Sequence, residues 1–159
     1  MWTESSEGHK LIQELSKRIV VEVAPEELDL FDELVTEYFE DPTPPKESEP
    51  PKDDPLGFGI EETLIAVTPA ATAVANIIIN YLLTEVIKIT ESEQAENVKR
   101  KIKALFRSEN KDKDGPAPLT KEQLQIVRKL ARKQAIKFGI GPEKADRMAD
   151  ALVGSLALD

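Results

Sequence analysis

The sequence predicts a mainly α protein with a small strand-helix N-terminal unit, a proline-rich linker, a long apolar central helix and a C-terminal helical hairpin. Three observations carry this expectation. From Leu64 to Thr84 the chain runs 21 residues without a charge, although 32% of all residues are charged. Downstream, apolar residues recur at the three- and four-residue spacing of amphipathic helices. Between Pro42 and Pro55 stand six prolines, which cannot build a packed element. The chain therefore divides into an acidic unit over 1–41, a charged linker over 42–55, an apolar and a basic helix over 56–109, and a loop with an αα-hairpin over 110–159.

At the N-terminus, HKLIQELSK offers an amphipathic turn or two. KRIVVEVA, from Lys17 to Ala24, is a β-branched run that reads as a strand. Pro25 ends it and suits the first position of the next helix. In EELDLFDELVTEYFE, Phe31, Leu34, Val35 and Tyr38 recur at helical spacing, while Glu26, Glu33, Glu37 and Glu40 line another face. Acids in the first turn also suit the helix dipole.

Beyond the linker, Leu56 to Gly59 (LGFG) forms a turn. Thr68-Pro69 reads as an N-cap followed by proline at the first helical position, so the central helix starts at Pro69 and runs to about Ile89. A helix that starts at Glu61 and kinks at Pro69 is the alternative. A basic amphipathic helix follows from Glu91 to Arg107, with Val98, Ile102, Leu105 and Phe106 on its apolar face. Two helices, Lys121 to Phe138 and Pro142 to Leu158, close the chain around the Gly139-Ile140-Gly141 break. Leu124, Val127, Ala131 and Phe138 on the first face Ala145, Met148, Ala149, Leu152 and Leu156 on the second.

The central helix lacks the charged face of an ordinary surface helix. Its polar residues, Thr72, Asn76, Asn80 and Thr84, fall four apart in a neutral stripe suited to helix packing or assembly, and Lys88 extends it. Such a helix requires a cover on nearly every side. A bilayer would supply one, since about 20 apolar residues span its hydrocarbon and neutral side chains bond well between helices. The flanks then orient it: residues 44–63 carry two basic residues and 85–108 carry six, so the C-terminal part stays cytoplasmic. A soluble core supplies the other cover, with the basic helix and the hairpin packed around the segment. Both surroundings stay open, and the chain is expected in the cytoplasm or at the cytoplasmic membrane.

Charge is distributed unevenly. The net charge of −9 resolves into 0 over residues 1–21, −13 over 22–63 and +4 over 64–159. The acidic front repels phosphate and argues against nucleic acid as a partner. It favours protein partners with a basic surface, with Glu26, Glu33, Glu37 and Glu40 as the contact face. Lys121, Arg128, Lys129, Arg132, Lys133 and Lys137 sit on a helix of a helix-turn-helix shape, yet the following helix is too acidic and small-residue-rich to read bases.

The absence of cysteine excludes disulfides, thiolate metal sites and a cysteine nucleophile. His9 is the one histidine and would serve a catalytic triad only if recruited from the terminus. Acids along a solvated helix face do not make the paired carboxyls that hydrolysis requires. Gly57-Phe58-Gly59 lacks the third glycine of a nucleotide loop. The sequence thus predicts a non-enzymatic chain without a cofactor, and MWTESSEGHK offers neither the basic nor the apolar part of a cleavable signal.

One loop resembles an EF-hand. In NKDKDGPAPLTKE, Asn110, Asp112 and Asp114 hold positions one, three and five, and Gly115 the turn. Position twelve, which must be a bidentate carboxylate, is Lys121, and Glu122 falls one place late. The solvated-turn reading has Thr120 cap the next helix.

The order RIVVEVA, acidic amphipathic helix, loop, LGFG turn and Ala/Ile/Leu-rich helix is similar to the effector-associated constant component family. These are small bacterial accessory proteins encoded beside NTPases, proteases and other effectors. The resemblance spans about Lys17 to Ile89 and implies an adaptor role, with no active-site residue to carry over. The sequence reading is therefore an adaptor whose acidic head captures a basic partner, anchored in a membrane or held in a homo-oligomer through the Thr72/Asn76/Asn80/Thr84 stripe. Its alternative is a soluble helical oligomerisation module with a degenerate calcium-like loop at 110–122.

Overall fold

In a computed structural model, which describes residues 5–42, 66–88, 94–105 and 119–156, the chain folds into six α-helices and no strand among the described residues. Helix α1 spans Ser6–Val23, a 3₁₀ helix Pro25–Leu30, α2 Phe31–Glu40, α3 Val67–Tyr81, α4 Ala95–Leu105, α5 Lys121–Lys137 and α6 Pro142–Leu156. The linker 43–55, the LGFG turn, the Glu61 start, Ile89 and the loop 106–118 lie outside the described residues.

The expected strand at Lys17–Ala24 is the second half of α1. Leu11, Ile12, Leu15, Ile19, Val20 and Val23 are all buried, and their spacing of one, three, four, one and three residues is one helical stripe. Read alone, IVVEV favours a strand; read with the heptad before it, the same valines continue the apolar face. Intrinsic β-preference is worth a fraction of a kcal/mol per residue, and packing of a whole stripe outweighs it. Ser5 starts the helix by accepting the Gly8 N–H at 3.1 Å.

Helix α3 lies at the centre. It packs against α1, α2 and α5, and α6 closes on both α5 and α1. Ala70, Ala71, Ala73 and Ala75 are buried, and alanine at these positions lets neighbouring helices approach closely. Val74, Ile78, Ile79, Leu82 and Leu83 supply the bulk between them. Beyond Tyr81 the helix widens into a π-helical turn over Leu82–Ile87. There Thr84 Oγ1 donates to Asn80 O at 2.9 Å and to Tyr81 O at 3.4 Å, a bond that competes with the regular ladder. Lys88 ends it in the left-handed region, at φ 57°.

The C-terminal hairpin forms where the sequence placed it. Val127, Ala131 and Ala135 on α5 meet Ala145, Met148, Ala149 and Leu152 on α6 in the buried core. Arg128 Nη2 to Asp150 Oδ1 and Arg132 Nε to Asp146 Oδ1, both 2.8 Å, latch the two helices on their outer edge. The expected cap at Thr120 is present as a reciprocal box: its Oγ1 accepts the Gln123 N–H at 3.0 Å, and Gln123 Oε1 accepts the Thr120 N–H at 2.9 Å.

The turn between the helices is a Schellman motif. Gly139 N–H donates to Ile136 O at 2.9 Å and Ile140 N–H to Ala135 O at 3.0 Å, with Gly139 at φ 92° and Ile140 buried. Replacing Gly139 with alanine should cost about 1–2 kcal/mol, because a Cβ is strained at that φ. Gly154 sits inside α6 with nothing within 4 Å of an added Cβ. Gly154→Ala should therefore stabilise the fold by about 0.5–1 kcal/mol. Urea denaturation of the two variants, side by side, checks the opposite signs.

Candidate functional site

The start of α3 is buried, and its N-terminal donors need partners there. The sequence reading put an N-cap at Thr68, but the cap position is Ala66, which has no side-chain acceptor. Pro69 falls at the third helical position and contributes no N–H, so the proline sits in the first turn without kinking the helix. The donors of Val67 and Thr68 are met by a residue 40 positions upstream. Glu27 Oε2 accepts Val67 N–H at 2.8 Å, and its Oε1 accepts Thr68 N–H at 2.8 Å and Thr68 Oγ1 at 2.7 Å. A carboxylate at this end also faces the positive pole of the helix.

Glu27 is placed there by the 3₁₀ turn. The sequence suggested one helix over Glu26–Glu40; instead Pro25–Leu30 coils more tightly before α2 begins at Phe31. That turn aims Glu27 inward and leaves Glu26 exposed. Glu27 stands four residues before Phe31, in line with the buried side of α2, but the sequence reading singled out only the outward Glu26 and missed it.

The remaining expected partner residues are together. Glu33, Glu37 and Glu40 are exposed on the outer side of α2, opposite the buried Phe31, Val35 and Tyr38. Asp29 and Asp32 are exposed beside them, and no basic residue occurs from Pro25 to Asp41. No ion pair joins Glu26, Glu33, Glu37 or Glu40 to another described residue. Chemically this is a convex anionic face able to bind cationic side chains.

The stripe on α3 is divided by the fold. Thr72 is buried and donates to Thr68 O at 2.8 Å. Asn76 is half-buried; its Nδ2 donates to the Tyr38 hydroxyl at 3.3 Å, while its Oδ1 is buried without a partner among the described residues. Asn80 is half-buried, and Thr84 is exposed. The stripe thus begins inside the bundle and ends at its surface.

His9 lies on α1, not in a loose terminus, and its ring stacks on Phe39 with centroids 4.0 Å apart. Tyr38 packs at 5.6 Å against Phe39 and at 6.1 Å against Phe138, so aromatic rings join α1, α2 and the end of α5. Of the calcium-like set, Asn110, Asp112 and Asp114 lie outside the described residues, and Glu122 is exposed in the first turn of α5. No group of three or more metal-ligating side chains occurs among the described residues. No family model, curated protein or solved structure matches this chain.

Removing the Glu27 carboxylate leaves two N–H groups and a hydroxyl at a buried helix start. Glu27→Ala should cost about 2–3 kcal/mol and Glu27→Gln less, because the amide keeps one acceptor oxygen. Chemical denaturation of both variants measures the difference. A second expectation concerns alkaline pH. Burial raises the Tyr38 hydroxyl above its ordinary 10.0, partly offset by the Asn76 hydrogen bond. Burial, then the charge of Glu85, raises Tyr81 as well. The folded state holds these protons more tightly than the unfolded chain does, so their contribution is complete below pH 10 and is lost as pH rises above it. Stability should fall above pH 10, and Tyr38→Phe should flatten the fall, as read from denaturant midpoints across pH.

Proposed function

We propose that this chain is a non-enzymatic interaction module, a helical bundle that holds an acidic helix outward for a basic protein partner. The observation that carries this reading is the outer face of the 3₁₀ turn and α2. Six carboxylates, Glu26, Asp29, Asp32, Glu33, Glu37 and Glu40, are exposed there with no lysine or arginine among them. Acids packed so closely repel one another, and a cationic surface relieves that repulsion. The backing is rigid, since α2 rests on α3 through Phe31, Val35 and Tyr38. The resemblance to effector-associated constant components implies the same accessory role. Its strand position is occupied by α1, however, so the reading rests on the acidic face.

Helix Val67–Ile87 is long and apolar enough to cross a bilayer. We read it as the central helix of a soluble domain. In support, α1, α2 and α5 already cover it, and their outer faces carry charges that hydrocarbon would penalise.

Fluorescence anisotropy with a labelled oligolysine tests the reading. The full chain should bind it at low salt and release it as salt rises. The variant Glu33→Gln/Glu37→Gln/Glu40→Gln should bind about tenfold more weakly. Equal affinity of the variant and the natural chain would remove α2 as the contact.

A further inference from the structure

We propose that the basic surface recognised by α2 is the outer face of α5 on a second copy of this chain, so that the protein pairs with itself by charge complementarity. The inference rests on the reading of α2 as a partner-binding helix and supplies the partner. It begins from the exposed apolar side chains. Among the described residues four large hydrophobics are exposed: Val21, Leu30, Ile126 and Ile136. Three of them flank the acidic face of α2 and the basic face of α5.

On the acidic face, Leu30 is 51% exposed and is followed by Glu33, Glu37 and Glu40 at steps of three, four and three residues. On the basic face, Ile126 (43% exposed) is followed by Lys129, Lys133 and Ile136 (40% exposed) at the same steps. Both sets lie opposite the buried side of their helix, which is Phe31/Val35/Tyr38 on α2 and Val127/Ala131/Ala135 on α5. Steps of three and four keep each set in one row. The spacing reads alike from either end, so the two rows register whether the helices run parallel or antiparallel, with Glu40 opposite an isoleucine in each. In both cases Glu33 and Glu37 meet Lys129 and Lys133, and Leu30 meets an isoleucine.

Within one copy this pairing does not form. The inner faces of α2 and α5 both rest on α3, their outer faces point to solvent, and no ion pair joins them. Arg128 and Arg132 are engaged by Asp150 and Asp146, which leaves Lys121, Lys129, Lys133 and Lys137 as the exposed lysines of α5. Glu122, at the start of α5, is the one acid on that helix and precedes the matched row. Tyr38 and Phe138 bring the C-terminal ends of α2 and α5 together on their inner faces. A two-fold arrangement in which each α2 row meets the partner's α5 row would close the assembly. The net charge of −9 opposes self-association, which makes the pairing weak and concentration-dependent.

Sedimentation equilibrium of the full chain over a range of concentrations tests this. The natural sequence should show a monomer–dimer equilibrium that shifts to monomer at high salt. Glu33→Lys/Glu37→Lys and, separately, Lys129→Glu/Lys133→Glu should each raise the dissociation constant at least about tenfold. An equimolar mixture of the two variants should regain association, since each then offers the row that the other lacks. A misfolded variant could not regain it. Three results would each overturn the inference: a monomer at every concentration, a dimer indifferent to both reversals, or a mixture that does not associate. If the natural chain stays monomeric yet oligolysine still binds α2, this inference fails and the reading of α2 stands. Loss of oligolysine binding as well sinks both.

Discussion

The central helix carries no charge from Val67 to Thr84 and is apolar on most sides, and the architecture follows from enclosing it. Three amphipathic helices, α1, α2 and α5, turn their apolar stripes to α3, and α6 closes the gap between α1 and α5. Enclosure creates a second requirement at the helix start. Backbone donors that would bond water at a surface helix must find a protein acceptor, and Glu27 supplies one carboxylate for the Val67 and Thr68 groups together. The same bonds fix the 3₁₀ turn against α3, and α2 leaves that turn on a set course. The position of the acidic face is in this way tied to the capping of the central helix.

That coupling gives neighbouring glutamates different physical roles. Glu26 and Glu27 differ by one position and share their chemistry, yet one is solvated and the other terminates a helix 40 residues away. Adjacent residues leave a helical turn about 100–120° apart, so only one of the two can face α3. Glu33, Glu37 and Glu40 then share the α-helical spacing of a single outward row. The arginines of α5 divide similarly. Arg128 and Arg132 turn toward α6 and hold the hairpin, whereas Lys129 and Lys133 face outward.

Most of the helical architecture was legible from periodicity. The amphipathic patterns of α2, α4, α5 and α6 identify their buried faces, and the Gly139 break and Thr120 cap fall where expected. The reading erred at Lys17–Ala24, where a short window rich in β-branched and charged residues hides a stripe that becomes evident only over all of α1. It also misplaced the start of α3. Thr-Pro is a sound local signal for a helix N-terminus, but a distant carboxylate made two earlier residues helical and removed the need for a local cap. The neutral stripe from Thr72 to Thr84 is real as spacing. Its two ends differ in environment because the bundle encloses the first half of α3 more completely than the second.

By itself the sequence determined that this protein is helical, acidic at its front, basic near its end and organised around one segment that must be covered. Periodicity and charge are local properties, so a linear reading recovers them. Tertiary structure alone decided that α1 is one helix, that Glu27 and not Thr68 completes α3, and which charged residues are spent inside the bundle. Each of these depends on a partner at least several turns away in sequence, and the free energy of such a contact is set by which surfaces are buried together.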